Sequence, residues 1–180
     1  MEKRKQTITP YMRERLLENR NGKLTSEQWK DMVMEPLVTL LLLLAPAILI
    51  LGPRLVVFGI RGWWLVMLAT IIAVSLTTLF RARRYARARV HFRELEAGQS
   101  PRPFWMFWKP QVLYDDNGAP MSFHKRLAPY MALQPYERYL VYYIEDADER
   151  VLLSMAPADH PDADQWQPSE TFQRRYQQRA

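Results

Sequence analysis

The chain has 180 residues, a net charge of +6, 48% hydrophobic residues and no cysteine. A missing thiol excludes thiolate nucleophiles, disulfide staples and cysteine-ligated metals, and 180 residues leave room for no more than one small domain beyond any long apolar segment. The charge is uneven: residues 81–93 carry six arginines and no acid, whereas residues 94–180 carry nine Lys/Arg against thirteen Asp/Glu. The high pI therefore belongs to one short stretch and is no sign of nucleic-acid binding.

Residues 1–35 read as amphipathic helices. Thr9 is placed to cap a helix with Pro10 at its first position, running to Arg20, and Asn21-Gly22 supplies a left-handed stop. A second start falls at Thr25, with Gln28 as its capping-box partner. Trp29 and Lys30 are of the types that sit in a headgroup layer.

Two uncharged apolar runs follow, residues 36–53 and 62–80, separated by a short loop over 54–61. At about 1.5 Å per residue each is expected to cross a hydrocarbon core about 30 Å thick, giving a transmembrane helical hairpin. Pro46 is expected to kink the first run, and Trp63 and Trp64 to mark the interfacial start of the second. Neither run holds an ionisable side chain, which points away from proton relays and ion pathways. Lys and Arg are concentrated on both flanks rather than in the loop, so both termini are expected in the cytoplasm, with the protein multi-pass in the plasma membrane.

Residues 81–97 are read as a basic juxtamembrane helix. Its arginines Arg81, Arg83, Arg84, Arg87, Arg89 and Arg93 fall all round a helical wheel, as suits a helix leaving a layer of anionic lipid headgroups. Residues 98–157 change character, with β-branched and aromatic runs broken by turns. Strands are expected over 105–114, 121–131, 138–144 and 151–155, with a hairpin signal at Asp116-Asn117-Gly118. This is a small, mainly antiparallel β-domain of four or five strands, making the chain α+β overall. Residues 158–180 read as a flexible tail in which Pro168-Ser169-Glu170 can start a short helix.

The run Arg138-Tyr-Leu-Val-Tyr-Tyr143 followed by Val151-Leu-Leu-Ser154 resembles the closing hairpin of a group of uncharacterised bacterial two-span membrane proteins. Leu17-Glu-Asn-Arg-Asn-Gly22 with Leu24, Thr25 and Gln28 is similar to their leading segment. The resemblance implies the same architecture with a small cytosolic β-domain, and implies no activity.

Chemistry is sparse. Trp105, Phe107 and Trp108, beside Phe104, form an aromatic cluster that suits an interface, the domain core or a flat ligand. His91, His124 and His160 lack metal-ligand spacing, the acidic pairs fall in turns, and Ser122 and Ser154 lack a nucleophile-elbow context. No catalytic, cofactor or metal residue is assigned. The favoured expectation is a non-enzymatic integral membrane protein serving as an accessory or assembly subunit. Its partners would be an anionic lipid bilayer and other membrane-protein subunits or further copies, and not nucleic acid. A membrane-surface lipid or ligand sensor is the second reading and an enzyme the third.

Overall fold

The computed structural model describes residues 8–34, 38, 42, 63–99, 110–146 and 149–177. The chain divides into two compact units, Met1–Thr25 with Ala88–Ala180, and Ser26–Arg87.

The first unit is a curled sheet with helices laid on it. Helix α1 spans Pro10–Asn19, and the Thr9 side chain accepts from Met12 N at 3.3 Å. Pro10 sits where its missing N–H costs nothing. Gly22, at φ +70°, turns the chain after the helix as expected, because a left-handed residue there is strained for any side chain.

The strands are β1 Val90–Ala97, β2 Gln111–Tyr114, β3 Pro120–Phe123, β4 Lys125–Arg126, β5 Arg138–Asp146 and β6 Glu149–Pro157. They order as β3-β2-β1-β5-β6-β4, all neighbours antiparallel except β4 and β6. Because β3 and β4 are separated by His124 alone, the two ends of the sheet are one bent strand and the sheet curls towards a barrel. The β2–β3 hairpin turns at Gly118, φ +72°, whose N–H donates to Asp115 O at 2.7 Å, as the Asn-Gly signal predicts.

Strands β5 and β6 are buried on both faces, which is why residues 139–144 and 151–156 show no polar alternation. On one face Tyr143 meets the Phe123 ring edge-on at 5.7 Å. On the other, α1 and the C-terminal segment cover the sheet. Asn19 Nδ2 donates to Ser154 Oγ at 2.7 Å, and the Tyr142 hydroxyl donates to Trp166 O at 2.6 Å. Trp166 belongs to a short 3-10 helix, Ala163–Trp166, and is fully buried. The final helix α4, Glu170–Gln177, is tied back through Ser169, whose N–H and hydroxyl both donate to Arg20 O. Buried Phe172 of α4 packs at Gly22 and edge-on to Tyr142. The C-terminal segment expected as a flexible tail is thus part of the packed unit through these contacts.

In the second unit, residues 26–34 are helical (α2) and helix α3 spans Trp63–Arg87. Among the described residues no helix is long and apolar enough to cross a membrane. The 25 residues of α3 lose their last seven, Arg81–Arg87, to the arginine-rich end. The remaining 18 rise about 27 Å, at the low end of what a core about 30 Å thick asks for, and they include Thr70, Ser75, Thr77 and Thr78. The expected two-span hairpin is therefore corrected, and with it the integral, multi-pass placement in the plasma membrane and the role as a membrane-complex subunit. The first run, residues 36–53, lies outside the described residues except for Val38 and Leu42, as does the loop 54–61.

Two further corrections concern the chain after the helix. The basic helix expected over 81–97 ends at Arg87, and residues 90–97 are strand β1, paired along its length with β5. The mainly antiparallel β-domain expected to have four or five strands has six, with four antiparallel neighbouring pairs and one parallel pair.

Candidate functional site

Among the described residues, helix α3 carries the least ordinary surface. Taking about 100° per residue from Leu68, the large apolar side chains fall at about 300° (Ile71), 0° (Leu68), 20° (Leu79), 40° (Ile72), 80° (Leu76) and 120° (Phe80). All six are exposed, Phe80 to 64%. Of the half-buried or buried positions from Leu68 to Tyr85, Thr70, Arg81, Val74, Tyr85 and Thr78 occupy the complementary arc from about 200° to 280°, and small Ala82 falls at about 320°. The polarity is thus turned over: the large aliphatic groups face out, while a guanidinium, a phenol and two threonines lie on the more covered side. A helix packed on a globular core does the opposite.

The covered side is satisfied only in part within the helix, since Arg81 Nε is buried without a hydrogen-bond partner. Thr78 Oγ1 donates to Val74 O at 2.8 Å, and Thr77 Oγ1 donates to the same carbonyl at 2.9 Å. Arg81 Nη2 donates to the Tyr85 hydroxyl at 3.2 Å, with its guanidinium 5.8 Å from the ring centroid. Tyr85 is buried. Hydroxyls bonded back to their own helix keep little unmet demand for water.

The expected interfacial residues separate into two groups. Arg81, Arg83, Arg84 and Arg87 lie on α3, and the last three are exposed at its C-terminal end, where cations also favour the helix dipole. Arg89 is exposed beyond the helix end, and Arg93 is on β1, where Nη1 bonds to Asp115 Oδ2 at 2.6 Å. No ring of six arginines round one helix exists, because the helix stops after four of them. Trp29 and Lys30 are exposed on α2. Trp63 and Trp64 open α3, with their side chains outside the described residues, and Trp105, Phe107 and Trp108 also lie outside them.

The sheet unit does not gather its reactive side chains. His91 stacks on Tyr143 at 5.3 Å, His160 lies 4.7 Å from the Trp166 ring, and Ser154 is held by Asn19. Asp115 pairs with Arg93, and Glu145 pairs with Arg150 at 3.3 Å. Burial holds the His91 imidazole below its ordinary pKa; Glu145 opposes the shift, and Arg89 and Arg93 add to it. Burial pushes the Tyr142 and Tyr143 phenols up. Among the described residues no group of three or more His, Asp or Glu could hold a metal ion.

Sequence reasoning found the apolar run of α3 but not its two-sidedness, because Thr70, Thr78 and Tyr85 are unremarkable until the wheel is drawn with Arg81 on the same arc. The chain matches no protein-family model, no curated protein and no solved structure.

Proposed function

We propose that this chain is a non-catalytic binding module whose working surface is the outward face of α3. The observation that carries this reading is the exposure of Leu68, Ile71, Ile72, Leu76, Leu79 and Phe80 on one arc while Thr70, Thr78, Arg81 and Tyr85 sit on the covered one. A contiguous apolar patch facing water is costly at about 25 cal/mol per Å² and is ordinarily covered when the protein works. In the sheet unit His91 and His160 are engaged in ring packing and Asp115 and Glu145 in ion pairs, and they do not converge on one point.

Light scattering of the full-length chain in detergent-free buffer tests this reading. The wild type is expected to self-associate or to retain detergent, and the double variant Leu76→Glu, Phe80→Glu to be monodisperse with the same far-UV circular dichroism. A wild type that is as monodisperse as the variant and binds no apolar phase would remove the proposal.

A further inference from the structure

Building on the docking role proposed for α3, we infer that its occupant is an anionic lipid surface, with acyl chains against Leu68 to Phe80 and headgroup phosphates at Arg83, Arg84 and Arg87. Contact with a lipid layer suffices; the two-span arrangement plays no part in it.

Three observations select this occupant over a protein groove. First, the apolar arc is about 180° wide, from Ile71 round to Phe80, whereas packing against a single partner helix needs a stripe of roughly 100° or less. A fluid apolar phase follows a surface of any width. Second, the arginines stand at one end of the apolar stretch and begin directly after Phe80, an order along the helix that matches the step from acyl chain to phosphate. Third, the hydroxyls of Thr77 and Thr78, which flank the arc on either side, are bonded to Val74 O, so that Ser75 is the one hydroxyl side chain from Leu68 to Phe80 within the arc. A protein partner would have to offer a wide apolar concavity and an acidic rim in the same order, which a layer of anionic lipid presents at every point.

The charge complement has a readable size. Exposed arginines near an anionic surface contribute roughly 1 kcal/mol each, so removing three should weaken binding on the order of 100-fold at low salt. Free phosphate offers the same oxygens without the acyl phase and should not compete.

The test is vesicle flotation of the full-length chain with phosphatidylcholine vesicles, with and without phosphatidylglycerol, at low and high salt. The wild type is expected to float with the anionic vesicles at least about tenfold better than with the neutral ones, and inorganic phosphate should not displace it. Arg83→Gln, Arg84→Gln, Arg87→Gln should lose the anionic preference, and Leu76→Glu, Phe80→Glu should lose flotation altogether. Equal flotation with both vesicle types, or displacement by phosphate, would overturn the inference. Absence of flotation from a wild type that still self-associates through α3 would overturn the lipid occupant and leave the docking role standing. A wild type that neither floats nor self-associates would end both.

Discussion

Replacing Tyr142 with phenylalanine isolates one hydrogen bond that ties the C-terminal segment to the sheet. The hydroxyl is fully buried and donates to Trp166 O at 2.6 Å, while the ring packs against Phe92 at 5.0 Å and Phe172 at 6.2 Å. Phenylalanine keeps the ring contacts, so no large cavity opens, and what is lost is one donor to a carbonyl buried beside it. Stranding a buried acceptor costs about 1–3 kcal/mol, and the site is dry enough for the upper half of that range. Tyr142→Ala would add the cavity and cost about 3–5 kcal/mol. Urea unfolding of the full-length chain should show the midpoint of Tyr142→Phe lowered at an unchanged slope, with amide exchange accelerated first around 163–177. The pH dependence gives a second reading. Burial raises the folded-state pKa of Tyr142 above its unfolded value near 10, so above that pH the unfolded chain gives up its proton first. The stability held by the neutral phenol is complete below about pH 10 and lost as pH rises, and Tyr142→Phe should make the alkaline fall shallower. A variant within about 0.3 kcal/mol of wild type would refute the account of how the C-terminal segment is held.

Three other perturbations have expected outcomes. Gly22→Ala should destabilise by about 1–2 kcal/mol, since φ is +70° and a Cβ there would stand 3.3 Å from Phe172 Cδ2; calorimetry should show a lower Tm, and an unchanged Tm would contradict the packing of α4 at this turn. At Gly98 a Cβ would come within 2.7 Å of Tyr114 Cε2, so Gly98→Ala should cost about 1 kcal/mol, and much of that cost should vanish in a Tyr114→Ala background; a strictly additive double-mutant cycle would show that the two do not meet. His91, whose folded-state pKa is depressed by burial, leaves the folded protein with fewer bound protons than the unfolded chain below about pH 6.5. Stability is therefore full above that pH and falls on acidification through the folded-state value, and His91→Phe should shrink the loss of urea midpoint between pH 7 and pH 5.

The local signals of the sequence were sound where short-range chemistry decides the outcome. Thr9-Pro10 starts α1, Gly22 turns the chain after it, Asn117-Gly118 turns a hairpin, and the runs at 138–144 and 151–155 pair as β5 and β6. The misreadings came where a residue type was given one meaning. The arginines from Arg81 to Arg93 read as one helix, yet Val90, Leu95 and Ala97 bury themselves along β1, a pattern obscured by the long charged side chains between them. Strand β4 is two residues long and parallel to β6, a pairing fixed by the curl of the sheet and not by any local signal. The C-terminal segment looked loose because its Asp, Pro and Gln content resembles a linker, but Trp166 and Phe172 are enough to seat it on β5. An apolar stretch without charges does not by itself make a span: the helical, uncharged part of α3 rises about 27 Å, and no described helix is long and apolar enough to cross a membrane. The candidate docking face was legible as apolar residues, but its orientation was not, since a sequence does not say which arc of a helix is covered.

The absence of cysteine makes the central claim open to one direct measurement. Single cysteines placed at positions 69 to 80 and spin-labelled can be compared for their accessibility to oxygen, which partitions into acyl chains, and to a polar nickel chelate, which does not. In the presence of anionic vesicles, labels at 71, 72, 76 and 79 should gain oxygen accessibility and lose chelate accessibility, while labels at 70, 74 and 78 change less, with the helical period of about 3.6 residues. Labels at 71, 72, 76 and 79 that stay as accessible to the chelate with vesicles as without them would contradict the docking of α3 on a lipid surface.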